Sequence, residues 1–305
     1  MRQVQAGRRG DRLNAITLAD VRAASKPRDA WWTVLLVDPI ACRLVVRAAK
    51  YRWITPNRLT AAAALLGLGA AGAFALGGRW WYVVGALAYY LSFVVDCMDG
   101  KLARLTGAGS VFGQWLDFML DRILVVVCAG ALLGGQYART GQMIYLALCG
   151  AVIFLNLFHQ LNGQIMSEAL RRAREKLTLA ADGDTGESTN RNQRSKRSAV
   201  SLLYRVRESL ARRRIRLDVF SAIEFQMAVF ILAPLTGLIV PVTAFACGLL
   251  LAFDIAAVAK FAMSARVLTK ELRVSLPPGS SSIPSQTFPG ENRLTCTSYV
   301  HRDVP

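Results

Sequence analysis

Four aspartates lie at regular spacing within largely apolar sequence between residues 96 and 121. Asp96 and Asp99 are three residues apart, and Asp117 and Asp121 are four apart, so each pair falls on one side of a helix. Carboxylates are costly within apolar helices, and several at ordered spacing indicate a functional site. Because close carboxylates cannot all ionise without a counter-charge, they favour a hard divalent cation with oxygen ligands, Mg²⁺ or Mn²⁺. Such a cation, held with open positions, is suited to binding a pyrophosphate.

The residues around the aspartates leave room for a phosphate-containing ligand. Gly100 and Ala103 lie on the same helical stripe as the first two aspartates, and their small size lets a base or phosphate approach the backbone. Arg104 adds a permanent cation for phosphate oxygens. The sequence TGAGS at 106–110 predicts a turn, after which Gly113 and the second aspartate pair share one stripe. The two stripes are expected to face each other in a pocket near one end of the helices.

The whole pattern resembles the signature of a known family. Residues 96–121 read Asp-x2-Asp-Gly-x2-Ala-Arg-x8-Gly-x3-Asp-x3-Asp, which is similar at every position to the signature of the CDP-alcohol phosphotransferase (CDP-alcohol phosphatidyltransferase) family. The shorter motif PNRLT at 56–60 resembles the Pro-Asn-x-x-Thr that opens the family's first span. The resemblance covers about residues 39–265. It implies an integral-membrane enzyme that transfers a substituted phosphate group from a CDP-linked donor to an alcohol and releases CMP.

The resemblance also implies roles for individual residues. It implies that two metal ions are held by Asp96, Asp99, Asp117 and Asp121, and that Asp121 is the general base for the acceptor hydroxyl. It implies a set of contacts to the CDP part of the donor: Gly100, Arg104, Ser110, Asn57, Thr60, Ala103 and Gly113. It further implies that the protein is a homodimer.

Apolar helices must position these residues. Six stretches are each near the length of about 20 residues that crosses a bilayer, and we place them at 58–78, 80–105, 111–135, 141–164, 219–239 and 242–264. An amphipathic helix within 39–57 precedes them, with Arg43, Arg47 and Lys50 on one face, which is typical of a helix in the membrane interface. The predicted fold class is therefore all-α: a polytopic membrane protein with six transmembrane helices and an N-terminal interfacial amphipathic helix.

The distribution of charge predicts the organisation and orientation. We expect four parts: a polar basic extension at 1–38, the interfacial helix at 39–57, a transmembrane catalytic domain at 58–265 and a disordered tail at 266–305. Lys and Arg number twelve in 1–58 and fourteen in the loop 165–218, whereas the other connections hold one or none. The positive-inside rule therefore predicts a multi-pass protein of the cell membrane with both termini, the basic loop and the active site on the cytoplasmic side.

The excess of positive charge has two readings. The chain carries a formal net charge of +17 although 53% of its residues are hydrophobic. The basic residues flank apolar stretches and do not form a separate basic domain, so we interpret them as contacts with anionic membrane lipids. We expect no nucleic-acid partner.

The expected substrates follow from the resemblance and the charge. We expect CDP-diacylglycerol as donor and a polar alcohol of the inositol phosphate or glycerol phosphate type as acceptor, because a basic surface suits an anionic acceptor. The alternative in the same class is a small CDP-alcohol donor with a lipid or soluble alcohol acceptor. An intramembrane prenyltransferase also uses Asp-rich motifs and Mg²⁺, but it does not explain the small residues and arginine of the pattern. A divalent-cation transporter leaves Arg104 unexplained.

Other polar residues lie within the predicted spans. Four close the fourth stretch: Asn156, His159, Gln160 and Asn162. They either line the acceptor pocket or form hydrogen bonds between helices. Asp254, in the sixth stretch, either binds a ligand or forms a structural ion pair, with Lys260 six residues on. Arg122 follows Asp121 and points about 100° away from it, towards a neighbouring helix or a lipid phosphate.

Overall fold

The computed structural model describes residues 16–26, 29–51, 53–182 and 220–275. Every regular element in these ranges is helical, and we number the helices α1 to α8. The predictions for residues 1–15, for 183–219 of the basic loop and for 276–305 of the tail lie outside the described residues.

The first five helices carry the predicted site. Helix α1 is Leu18–Ala23, and α2 begins with a π-helical turn at Thr33–Val37 and continues as an α-helix over Asp38–Ala48. Helices α3 and α4 are Pro56–Leu76 and Arg79–Thr106. Helix α5 comprises Val111–Ala129, a π-helical turn at Gly130–Gly134, and Gly135–Thr140.

The remaining helices are α6 to α8. Helix α6 is Met143–Asp182, and α7 comprises Ala222–Met227, a π-helical turn at Ala228–Leu232, and Ala233–Thr236. Helix α8 is Ile239–Ser275. Helix α6 therefore continues well into the region predicted as a loop, and α8 continues beyond residue 265.

Four of the described helices are long and apolar enough to cross a membrane, by length and composition. They are Pro56–Leu76, Arg79–Thr106, Met143–Glu175 and Ile239–Thr269. The other two predicted stretches coincide with α5 and α7, each of which is interrupted by a π-helical turn, and Ala222–Thr236 is a shorter apolar helix. The all-helical class and several membrane-length helices are thus confirmed, while a count of six spans stays a prediction.

A tight turn and small residues bring α3, α4 and α5 together. Pro56 occupies the first turn of α3, where its missing N–H costs nothing. The turn between α3 and α4 is Gly77-Gly78, with φ of 71° and 86°, a region that glycine adopts without strain. A Cβ at Gly67 would collide with the Leu124 side chain of α5, and one at Gly85 would collide with Phe74 of α3. The glycines therefore permit close packing of the helices.

The main core is an apolar cluster to which α3 to α8 all contribute. Phe74, Tyr89 and Phe230 meet at its centre, with ring centroids 4.8 Å apart for Tyr89 and Phe230 and 6.5 Å apart for Phe74 and Phe230. Leu132 and Leu133 of the π-helical turn in α5 are fully buried in the same cluster. This core joins α3, α4, α5 and α7 and fixes the direction in which α4 and α5 leave it.

The N-terminal helices pack on α4. Val21 of α1 and Val45 of α2 are buried against Met98 of α4. Lys101 of α4 forms an ion pair with Asp38 of α2, with Nζ 2.8 Å from Oδ1 and both side chains largely buried. The amphipathic helix predicted within 39–57 is thus part of α2, which starts earlier, at residue 33, and ends at Ala48. Arg43 and Arg47 of this helix are exposed, and its position in the membrane interface stays a prediction.

Candidate active site

A cavity of about 1620 Å³ is lined by residues of α3 to α8. Every residue predicted from the sequence for the metal and CDP sites lines this cavity. They are Asn57, Thr60, Asp96, Asp99, Gly100, Ala103, Arg104, Ser110, Gly113, Asp117 and Asp121. The residues that the sequence pattern selected therefore lie together in one cavity, although they belong to three helices, α3, α4 and α5.

Three of the four predicted aspartates form a compact group. One carboxylate oxygen from each of Asp96, Asp99 and Asp117 lies within 4.8 Å of the others. Asp99 is only 5% exposed, and the other two are half-buried. Oxygen donors alone, converging from two helices, fit a hard divalent cation, and three negative charges at this separation require such a counter-charge.

Asp121 stands apart from this group. It lies one helical turn beyond Asp117 and lines the same cavity, but its carboxylate is not among the converging oxygens. Its side chain is 48% exposed, and its Oδ2 is 3.6 Å from a guanidinium nitrogen of Arg122. Three of the four predicted carboxylates therefore converge, and the fourth lines the same cavity apart from them.

Thr60 has a partner that the sequence did not reveal. Its Oγ1 donates a hydrogen bond to Asp99 Oδ2 at 2.5 Å, and both side chains are buried. The carbonyl of Pro56 is 3.1 Å from the same hydroxyl. The first turn of α3 thus orients a carboxylate of α4. Its described partner is thus a residue of the carboxylate group, and its predicted contact with CDP stays a prediction.

Gly113 provides the fit between α3 and α5. A Cβ at this position would lie 2.8 Å from Asn57 Oδ1 and 2.9 Å from Ser110 Oγ. Ser110 caps α5, since its Oγ accepts a hydrogen bond from the Gly113 N–H at 2.9 Å. The glycine therefore lets the start of α5 approach Asn57 at the edge of the cavity. Contacts of these residues with CDP remain predictions.

Arg104 connects the cavity with the N-terminal segment. Its Nε donates a hydrogen bond to the carbonyl of Ala24, just after α1, at 2.7 Å. Gly100 lies one turn earlier, where a Cβ would be 3.4 Å from the guanidinium. Lys26 and Asp29, which follow α1, also line the cavity. No spacing rule could have placed these two residues there, because only the packing of α1 and α2 on α4 does so.

The side of the cavity formed by α6 and α8 is also polar. His159 Nδ1 lies 2.6 Å from Asp254 Oδ1, so the partner of Asp254 is a histidine of α6 and not Lys260. Arg122 extends from α5 towards α6, where it donates a hydrogen bond to Gln160 Oε1. The prediction that Arg122 points to a neighbouring helix is confirmed.

Comparison with known proteins agrees with the site. Residues 53–178 match the model of the CDP-alcohol phosphatidyltransferase family. The phosphatidylinositol phosphate synthase of Mycolicibacterium smegmatis is 37% identical over 82 residues, which are 27% of this chain and 36% of that protein. The match therefore spans about a third of the length of that curated relative. The family match begins just before α3 and includes all four aspartates. Residues 53–178 of the chain are thus similar to a CDP-alcohol phosphatidyltransferase domain.

Proposed function

We propose that this protein transfers a phosphatidyl group from CDP-diacylglycerol to a polar alcohol of the inositol phosphate or glycerol phosphate type and releases CMP. The observation that carries the proposal is the convergence of Asp96, Asp99 and Asp117 in a cavity that also contains Asp121. The family match supports the reaction class. The partial similarity to a phosphatidylinositol phosphate synthase supports an inositol phosphate acceptor.

The carboxylate group is proposed to hold two divalent ions, Mg²⁺ or Mn²⁺. Asp96, Asp99 and Asp117 would supply the shared ligands, and Asp121 would complete the set. When bound, the ions would polarise the donor phosphate and neutralise charge on the departing CMP. Thr60 keeps Asp99 oriented for this task, because its hydroxyl already occupies one carboxylate oxygen.

Asp121 is proposed as the general base. Its half-exposed carboxylate lines the cavity, where an acceptor hydroxyl can reach it, and the Arg122 guanidinium lies beside it. The acceptor oxygen forms a bond to the phosphorus, the bond from phosphorus to the CMP oxygen breaks, and the hydroxyl proton passes to Asp121.

Arg104 is proposed to bind donor phosphate oxygens. Its Nε donates a hydrogen bond to the Ala24 carbonyl, so the phosphate would be bound by the other guanidinium nitrogens or would replace that hydrogen bond.

The charges on the α6–α8 side of the cavity support an anionic acceptor. Lys260 and Arg171 line this side along with Arg122. Arg171 is paired with Glu168, whereas Lys260 has no ion pair with any described residue. A phosphate on the acceptor would provide the missing negative charge.

The membrane placement is part of the proposal. We propose six spans in the cell membrane, with both termini and the cavity on the cytoplasmic side. The 21 residues of α3 rise about 31 Å, close to the hydrocarbon thickness. Trp80 is 82% exposed at one end of this length, and Trp53 and Trp115 are exposed at the other, as expected for residues at the two interfaces. The exposed arginines of α2 lie on the Trp53 side, which suits contact with anionic lipid headgroups. A homodimer is proposed from the family resemblance.

The test is a donor and acceptor screen with purified full-length protein in lipid nanodiscs. CDP-diacylglycerol is offered with inositol phosphate, glycerol phosphate or inositol, and a small CDP-alcohol is offered with diacylglycerol. CMP release is measured, and the lipid product is identified by mass spectrometry. We expect CMP release with CDP-diacylglycerol and a phosphorylated acceptor, and its loss when EDTA removes divalent ions. No CMP release with any pair would overturn the proposal, and release only with the small CDP-alcohol would reverse the donor assignment.

A further inference from the structure

The His159–Asp254 pair lies in the part of the cavity that the proposed metal and CDP contacts do not use. Those contacts come from α3, α4 and α5, whereas His159 is on α6 and Asp254 is on α8. The two residues are 95 positions apart in the chain, and their contact at 2.6 Å joins two long apolar helices.

A hydrogen bond that only joined two helices would not need the two further polar atoms that this pair carries, Asp254 Oδ2 and His159 Nε2. Asp254 is 3% exposed, and its second oxygen, Oδ2, is buried with no hydrogen-bond partner among the described residues. A buried carboxylate that lacks a partner is costly, and within an apolar helix it calls for a functional explanation. His159 lines the cavity, and its Nε2 forms no hydrogen bond to any described residue. The ring is therefore held at Nδ1, while its other nitrogen is available to a ligand.

The pair and the proposed base line the same cavity, and a hydrogen bond joins α5 and α6 beside them. Gln160, next to His159, accepts a hydrogen bond from Arg122. Arg122 in turn lies beside Asp121, and its guanidinium stacks on the Phe118 ring, with Cζ 3.5 Å from the centroid. A molecule that occupies the cavity beside Asp121 can therefore extend to the α6–α8 side, where the imidazole lies. An acyl chain cannot form a hydrogen bond with an imidazole, and the proposed nucleotide contacts lie on α3, α4 and α5. The substrate expected beside His159 is therefore the acceptor.

Resting on the proposed function, we propose that His159 is a specificity-determining residue: its Nε2 forms a hydrogen bond with a hydroxyl of the acceptor that does not react. Asp254 is a positioning residue that fixes the ring through Nδ1. The acceptor class that fits is an alcohol with several hydroxyl groups, one of which faces Asp121 while another reaches His159.

The two ring nitrogens can be tested separately. In His159→Asn the amide nitrogen takes the place of Nδ1, so the bond to Asp254 is kept and the group at Nε2 is lost. In His159→Gln the amide takes the place of Nε2, so the opposite is true. We expect His159→Asn to raise the KM for inositol phosphate about tenfold and to leave the KM for CDP-diacylglycerol within about twofold of wild type. We expect His159→Gln to keep an acceptor KM closer to wild type than His159→Asn does.

Tyr82→Phe is the matched control. It removes the hydroxyl that accepts a hydrogen bond from Arg139 at 2.8 Å, between helices but outside the cavity. We expect both KM values of this variant to equal those of wild type. Thermal unfolding in nanodiscs shows that each variant is folded, and His159→Asn is expected to unfold within a few degrees of wild type.

The outcomes separate the two proposals. If wild-type protein releases CMP and His159→Asn and His159→Gln both keep the wild-type acceptor KM, the role of His159 is refuted while the proposed function stands. A parallel rise in the KM of donor and acceptor would also refute it, since that is what general distortion produces. If wild-type protein releases no CMP with any pair, the proposed function fails and this assignment fails with it.

Discussion

Thr60→Val tests whether the hydroxyl of α3 serves the carboxylate group or the nucleotide. Valine has the shape of threonine but cannot donate the hydrogen bond that Asp99 Oδ2 accepts at 2.5 Å. Asp99 is only 5% exposed, so water cannot fully replace the lost donor. A hydrogen bond to a charged group contributes about 1.5–3 kcal/mol, which corresponds to about 10- to 150-fold in a binding constant.

This magnitude sets the expected result. Removing an outer partner of a metal ligand usually costs about 10- to 100-fold in metal affinity, which agrees with the estimate from the hydrogen bond. We therefore expect the Mg²⁺ concentration that gives half-maximal CMP release to rise by about 10- to 100-fold in Thr60→Val. Excess Mg²⁺ should restore most of the rate. The matched control is Thr60→Ser, which keeps the hydroxyl and should stay within about threefold of wild type.

Two results would refute the reasoning. If Thr60→Val has the Mg²⁺ dependence of wild type but a raised KM for the CDP donor, the hydroxyl contacts the nucleotide, as the family resemblance implies. If Thr60→Ser loses Mg²⁺ affinity and Thr60→Val keeps it, packing of the methyl group, which valine retains and serine lacks, is responsible and the hydrogen bond to Asp99 is not.

Three further predictions follow from the same geometry. Asp121→Asn should lower kcat by at least about 100-fold while the binding of the CDP donor is kept, as measured by turnover and by isothermal titration; a near-normal rate would remove Asp121 as the base. Gly113→Ala should lower the free energy of unfolding by about 1–3 kcal/mol, because its Cβ would lie 2.8 Å from Asn57 Oδ1 and 2.9 Å from Ser110 Oγ; adding Asn57→Ala should recover part of the lost melting temperature, and no recovery at all would contradict the steric explanation. Lys101→Met should destabilise the protein by about 3–5 kcal/mol, since it leaves the largely buried Asp38 without its partner; the double variant with Asp38→Leu should recover most of the loss, and equal stability of single and double variants would argue against a buried charge.

Short-range periodicity explains what the sequence could predict about the site. Asp96 and Asp99 fall on one face of α4 because positions three apart are neighbours on any helix. The turn at 106–110 follows from its small residues, and the return of α5 then brings Asp117 to the first pair. These features depend on local geometry alone, so they could be inferred before any packing was known.

Contacts that depend on how helices pack could not be inferred. Thr60 and Asp99 meet because α3 and α4 pack side by side, an approach that the small Gly85 permits against Phe74. His159 and Asp254 meet only because α6 and α8 lie side by side, and no local rule relates residues 95 positions apart. The departure of Asp121 from the converging carboxylates likewise depends on the angle between α4 and α5.

Oppositely charged residues at helical spacing indicate the length of α6. Residues after position 165 were interpreted as a loop, yet α6 continues through the first of them to Asp182. Glu168 pairs with Arg172 at 2.9 Å, and Arg171 pairs with Glu175 at 3.0 Å, both at the i,i+4 spacing of a helix. Opposite charges at this spacing stabilise a solvated helix and predict its extension. A prediction from apolar content alone places the end of this helix too early, because the apolar residues stop where the hydrophobic layer of the membrane is expected to end.

The π-helical turn at Gly130–Gly134 divides α5 into two segments and changes the direction in which the side chains of the second segment point relative to the first. A π-helical turn holds one residue more than an α-helical turn, so the segment beyond it is rotated by about 100° relative to an uninterrupted helix. The segment before it carries Asp117, while the segment after it carries Arg139, which donates hydrogen bonds to Tyr82 and to the Ala75 carbonyl. Deleting one residue of the turn would turn Arg139 away from both acceptors without redirecting the carboxylates. The far end of the helix is therefore able to diverge between relatives by single-residue insertions and deletions, while the chemistry at the near end is preserved.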